Sequence, residues 1–312
     1  MGYRDREKAR IVPMRDRLFA DEGGGVFSGS PREFVLADAR LNLFEGARAG
    51  ALAYFDRNKI SWWKGTRGSG GDEGGDDLPT GHLLSSQVAC INHLFPLRND
   101  QARATAVLRA IDSDVEAAET VDDGYVEFEF IGENQYLQEP SFTRGANCTS
   151  IDAVMIGRRN DGSRRLFLIE WKYTEEYRVE DKYIEKRARV YDTLIAAEDS
   201  PLNAIEPKAF YYEPFYQLMR QTLLGHELAK HRDHGCTSYT HVHACPKDNL
   251  DFHNRVTSPG LTGANVAEAW RNVLKNPALF VSATPEALLA PLGLADPWLQ
   301  YLSARYWPAK DV

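Results

Sequence analysis

Alternation between apolar and polar positions picks out the strands of this chain. Residues 125–131 put Tyr125, Glu127, Glu129 and Ile131 on one face and Val126, Phe128 and Phe130 on the other. Residues 149–157 put Ile151, Ala153 and Met155 on one face and Asp152, Val154 and Ile156 on the other. Residues 166–173 are apolar until they deliver Glu170 and Lys172 on one face, with Ile169 and Trp171 opposite. Strand side chains alternate with period two, so these stretches are predicted as three strands, the first of them opening the sheet. Residues 239–245 form a fourth, with His241, His243 and Cys245 on one face and Pro246 at its end, and residues 278–283 a fifth.

A period near 3.6 predicts the helices. Ser30 and Pro31 suit a helix start, followed by Phe34, Ala37, Leu41, Phe44, Ala51 and Phe55 on one face. Trp62 and Trp63 end that block; core packing is the plain reading of the pair, and stacking on nucleic-acid bases the functional one. Helices are predicted over 82–97 (Leu84, Val88, Ile91 and Phe95 inward), 99–111, 179–198 (Tyr183, Ile184, Tyr191 and Leu194 inward), 214–230, 263–274 and 285–291. The 214–230 helix turns Phe215, Leu218, Met219 and Thr222 inward and carries a polar stripe of Gln217, Arg220 and Gln221. Residues 1–30 read as an arm with little structure of its own. Residues 65–77, with six glycines among acids, read as a mobile loop that matches neither a Walker A loop nor a dinucleotide fingerprint. The order of elements predicts an α/β fold with a mixed sheet flanked by helices. Residues 1–80 form an N-terminal helical extension and 81–312 the core, together one compact unit.

Asp152 changes the picture. It lies inside an apolar run, where burying an acid costs several kcal/mol unless it is paired or binds a metal. An Asp on one strand and a Glu-x-Lys on the next can hold a divalent cation through oxygen ligands. Such an ion activates water, and the lysine orients that water or neutralises developing charge. A structural salt bridge from Asp152 or Glu170 to Lys172 is the bland alternative. Ser150-Ile151-Asp152, without the usual proline, and Glu170-Trp171-Lys172 resemble the two motifs of the PD-(D/E)XK, or restriction-endonuclease-like, nuclease superfamily, in a bacterial restriction-endonuclease-like branch.

The resemblance implies a restriction-endonuclease-like core and Mg²⁺- or Mn²⁺-dependent cleavage of DNA. RNA and a homodimer stay open. It implies Asp152, Glu170 and the backbone carbonyl of Trp171 as metal ligands, Lys172 as the residue that positions water, and Gln217 against the active site. Many members add an acid from the helix before the sheet; here that helix offers Gln87 or Asn92 instead. Glu127, Glu129 and Glu139 are candidates for a third carboxylate, and an exposed acidic face is the plain reading of the first two.

Charge and cysteine refine this. The net charge of −8 argues against a non-specific DNA coat but not against local basic clusters. Arg158, Arg159, Arg164 and Arg165 flank the hairpin turn, and Lys182, Lys186, Arg187 and Arg189 follow. Of these, Arg158, Arg159, Lys182 and Lys186, with Arg220, are candidate phosphate contacts; a solvated face is the alternative. Four cysteines without C-x-x-C spacing point to reduced thiols and a cytoplasmic protein. Residues 1–17 lack the apolar region of a secretory signal, and no run is long enough to span a membrane.

Six of the eight histidines fall between His226 and His253, with Cys236 and Cys245. Zinc uses these side chains, so a zinc hydrolase is one alternative function, although the spacing fits no finger or knuckle. A non-cleaving module that binds nucleic acid or protein is another.

The register carries a sharper expectation. A two-residue loop of Asp161 and Gly162 would set Asp152 opposite Trp171 and divide the two acids between faces. A three-residue loop, Asn160 to Gly162, sets Asp152 opposite Glu170 and calls for Gly162 in the left-handed conformation.

Overall fold

The hairpin turn sets the sheet. In the computed structural model, which describes residues 1–64, 66–67, 77–144 and 148–307, Gly162 has φ +80°. Asp161 Oδ1 accepts from the Ser163 N–H at 2.9 Å and from its hydroxyl at 2.6 Å. The three-residue loop is the one formed. Strands Ile151–Arg159 and Arg164–Trp171 pair antiparallel from Arg158↔Arg164 to Ala153↔Ile169, the register that sets Asp152 against Glu170.

With strands numbered along the chain, β1 is Val115–Glu119, β2 Glu127–Phe130, β3 Ile151–Arg159, β4 Arg164–Trp171, β5 Ser238–Ala244 and β6 Phe280–Ala283. The sheet order is β6-β5-β4-β3-β1, and β2 also pairs with β3. β5 and β6 run parallel to their neighbours, whereas β1 and β2 lie antiparallel to β3. Those two strands share one edge of β3, since Glu119 pairs with Ile156 and Glu127 with Val154. The mixed six-strand sheet is the expected architecture.

Both faces of the sheet are covered. On one side Met155, Phe167 and Trp171 join a core with helices Glu45–Arg57 (α3), Ser86–Leu94 (α4), Gln101–Ile111 (α5) and Pro297–Tyr306. On the other, Val154, Leu166 and Leu168 pack against helices Glu185–Ile195 (α6) and Phe215–Lys230 (α7). Trp62 stacks on Phe55 with ring centroids 3.9 Å apart, as core packing requires, while Trp63 stays 47 % exposed. Among the described residues, no helix is long and apolar enough to cross a membrane.

Several expectations are corrected. Residues 1–30 are not an unstructured arm: Tyr3–Ile11 (α1) and Arg15–Phe19 (α2) are helices, and Tyr3, Ile11 and Phe19 are buried. Buried Glu7 accepts from the Tyr173 hydroxyl at 2.7 Å, so a contact 166 residues away holds the first helix down.

No helix starts at Ser30–Pro31, which pairs as a short strand with Val26–Phe27. The chain stays extended and lends its backbone to residues 81–83: the Leu36 N–H donates to the Gly81 carbonyl, and the Leu83 N–H to that of Phe34. A Cβ on Gly81 would lie 2.6 Å from the Leu36 carbonyl oxygen, so the approach requires glycine.

The 179–198 helix shortens to α6, leaving Ile184 49 % exposed rather than inward. The sheet opens with Val115–Glu119, not with residues 125–131, and Glu127 and Glu129 are buried rather than an exposed acidic face. The proposed mobile loop at 65–77 falls almost wholly outside the described residues.

Candidate active site

Three strands bring three acids into one row. β2 pairs with β3 at Phe128↔Ala153 and Phe130↔Ile151, which places Glu129 opposite Asp152. The β3–β4 register, continued by one residue, places Asp152 opposite Glu170. At this point the β3–β4 ladder ends. Asp152 Oδ2 takes the Trp171 N–H at 2.7 Å, so a side chain stands where a backbone carbonyl would continue the pairing. Trp171 therefore meets Asp152 through its backbone, while its indole is buried against His93.

Each acid has its own company. Glu170 is 2 % exposed; its Oε1 accepts from Lys172 Nζ at 2.5 Å, and its Oε2 from the Gln221 amide. Lys172 also donates to Gln217 Oε1 at 2.7 Å. Gln217 and Gln221 stand one helical turn apart on α7, the spacing that puts two side chains on one face. Glu129 accepts from Gln87 Nε2 and from the Ser150 hydroxyl, both at 3.0 Å. Its φ of +49° is a left-handed conformation that costs about 1–3 kcal/mol in a non-glycine residue. Phe55, Gln87, Cys90, Ile91 and Phe128 close tightly around Glu129 and Asp152.

The electrostatics are unbalanced on one side. Burial pushes the Asp152 carboxyl well above the usual range, and repulsion from Glu170 and Glu129 adds to it; Lys172 and the Trp171 N–H oppose the shift. Burial also raises Glu129, with Glu170 contributing, against the bonds from Gln87 and Ser150. Burial alone would lower Lys172, yet Glu170 first, then Tyr177, Glu175 and Asp152, holds its ammonium well above the ordinary lysine range.

The other candidates lie elsewhere. Glu139 takes the Thr149 N–H at 2.7 Å and hydroxyl at 2.6 Å, the Tyr191 hydroxyl, and Arg220 at 3.4 Å. It anchors the loop that leads into β3, and Arg220 is turned toward it. Asn92 is buried and serves the core, accepting from the Phe44 N–H at 2.7 Å. Glu127 pairs with Arg144. Arg158 is held by Glu116 and Glu119, and Arg159 by Asp112 and Asp114, at the hairpin end of the sheet. Lys182 pairs with Glu180 at 2.7 Å, and Lys186 is exposed on α6.

The histidines do not gather. His241 and His243 are buried on β5 and pushed far down by burial, His241 to about 3. His226 faces Asp199, and His231 faces Glu227. Among the described residues, the one group of three ligand atoms all within 4.8 Å of one another is Glu133, Asp233 and His234. The acids of the row do not all approach one another that closely. The residue that sequence reasoning passed over is Gln221; its spacing from Gln217 was the available signal.

A family model described as "Restriction Endonuclease associating with ARP" matches residues 23–307. Neither the curated proteins nor the solved structures yielded a match. The matched span takes in the whole sheet and both covering layers, and so the chain belongs to this family of restriction-endonuclease-like proteins.

Proposed function

We propose that the chain is a metal-dependent deoxyribonuclease and that the row Glu129–Asp152–Glu170 with Lys172 is its reaction centre. The observation that carries this reading is Asp152 set directly against Glu170 at the point where the ladder opens, with Lys172 one residue on. Burial first, and then the charges of Glu170 and Glu129, raise the Asp152 carboxyl. Among the described residues the buried Oε1 of Gln221 has no hydrogen-bond partner.

An all-oxygen donor set with uncompensated negative charge fits a hard cation such as Mg²⁺ or Mn²⁺. Asp152, Glu170 and the Trp171 carbonyl would hold it, and Glu129 would contribute a further oxygen. Such an ion supplies Lewis acidity toward a phosphate oxygen and makes water a better nucleophile. Lys172, fixed between Glu170 and Gln217, donates a hydrogen bond toward the attacking water. Gln87 and Ser150 fix the orientation of Glu129. The family description names an association with ARP, and we extend that association to this chain; co-purification with ARP tests it. The four cysteines are free thiols, which supports a reducing, cytoplasmic setting.

The experiment is incubation of plasmid and linear DNA with Mg²⁺ or with EDTA, for wild type and Asp152→Ala. Cleavage that needs both the ion and Asp152 is expected. No cleavage by wild type with Mg²⁺ or Mn²⁺ would leave a binding module on a nuclease-like scaffold.

A further inference from the structure

Beyond Gln87 the chain gathers cations and aromatic rings that the reading above does not use. The Trp63 N–H donates to Gln87 Oε1 at 2.9 Å, and Gln87 in turn donates to Glu129. One side chain thus separates the Trp63 backbone from the acid row. Trp63 is 47 % exposed and lies 6.3 Å, centroid to centroid, from partly exposed Phe27.

Lys64 Nζ sits 4.6 Å from the Phe27 ring and 5.2 Å from that of Trp63, and Lys8 Nζ lies 4.1 Å from Phe34. Buried His82, which packs against both phenylalanines, is held down to about 4 by burial first and then by Arg4, Lys64 and Lys8. Two ammonium groups therefore stand over neighbouring rings in a protein whose net charge is −8. Among the described residues neither lysine has a carboxylate within salt-bridge distance, unlike Arg158 and Arg159.

We propose that Trp63, with Lys64 beside it and Lys8 over neighbouring Phe34, binds an unpaired nucleotide of single-stranded DNA beside the acid row. An exposed indole offers a flat face on which any base can stack, and flanking cations suit the phosphates on either side of that base. Bases inside a duplex already stack on their neighbours, so the platform selects unpaired ones. The proposal takes its ligand from the nuclease reading and names the substrate feature recognised next to that centre.

The test is binding, not cleavage. Fluorescence anisotropy of dye-labelled oligothymidylate and of a blunt DNA duplex is measured with the full chain in EDTA. Trp63→Ala is expected to weaken oligothymidylate binding about tenfold, the scale of one base–aromatic stack, with little change for the duplex. Trp63→Phe should retain most of the affinity. Lys64→Ala should reduce the slope of log affinity against log salt by about 0.7, as expected for one lost phosphate contact on a single strand.

Equal oligothymidylate affinity for wild type and Trp63→Ala overturns the proposal, as does an equal loss on duplex and single strand. A wild type that binds oligothymidylate through Trp63 but cuts nothing would sink the nuclease reading and leave this one standing. Metal-dependent cleavage with binding indifferent to Trp63 would do the reverse.

Discussion

At the hairpin end of β3, Arg158 lies between Glu116 and Glu119, and Arg159 between Asp112 and Asp114. On β4, Arg164 meets Glu119 and Arg165 meets Asp112. Six residues away, about 20 Å along the strand, Asp152 faces two further carboxylates, and the buried lysine beside them pairs with Glu170. The same strand thus ends in charges that are matched and in charges that are not. Matched surface pairs contribute little to stability and suit a sheet edge in water. Unmatched buried acids persist only where something other than stability keeps them, which is why perturbed carboxyls mark functional sites.

The largest effect should come from the unmatched end. Asp152→Ala is expected to lower DNA cleavage by about 10³-fold or more, read by plasmid nicking with Mg²⁺. Retained activity would remove Asp152 from the centre.

Lys172→Ala should abolish cleavage too, and should also cost about 3–5 kcal/mol in urea unfolding, because it leaves Glu170 buried and unpaired. Combining it with Glu170→Gln should restore much of the stability and none of the cleavage. A stable single variant would mean that the pair is not buried as described.

Asp152→Asn should act the other way and raise stability at neutral pH. The folded carboxyl titrates above its unfolded value of about 3.9. Its contribution is therefore fully favourable below that pH and is lost as pH rises through the raised folded pKa. Urea unfolding across a pH series should show a steeper decline in wild type than in the Asn variant, where Glu129 still contributes.

The smallest effect belongs to the matched end. Arg158→Ala should shift unfolding by no more than about 1 kcal/mol and leave cleavage unchanged. A lost activity there would return the hairpin arginines to the DNA contacts.

The same contrast explains what was legible in the sequence. β3, β4 and their turn were readable because alternation, a glycine at the left-handed position and the chemistry of two acids agreed on one register. α7 was readable as a long amphipathic segment. The burial of Glu129 was not: alternation separates two faces but does not say that helices cover both.

Residues 30–38 misled because Phe34, Ala37 and Leu41 mimic a helical period. Their backbone partners lie some 45 residues on, at Gly81 and Leu83, where sequence pattern does not reach. The first helix is polar along most of its length, and what fixes it is the long-range bond from Tyr173 to Glu7. Val115–Glu119 is short and alanine-rich, a composition that favours helix until the strand edge of β3 is present to receive it.

The helix at Pro297–Tyr306 gives the site a timetable. Its Trp298 indole donates to the Asn92 carbonyl at 2.8 Å, the Asn92 amide donates to the Tyr306 hydroxyl at 3.0 Å, and Arg305 donates to the Asn42 carbonyl at 2.6 Å. Asn92 belongs to α4, the helix that also carries Gln87 to the acid row. Trp298 follows it by 206 residues. At about 5–20 residues per second of synthesis, roughly 10 to 40 seconds pass between the appearance of Asn92 and that of its partner. Through that interval the Asn92 side chain can bond to Asn42 and Phe44, but its backbone carbonyl waits for the Trp298 indole. The scaffold behind Gln87 closes only when this late helix docks, after the strands that carry Asp152 and Glu170 have long been made.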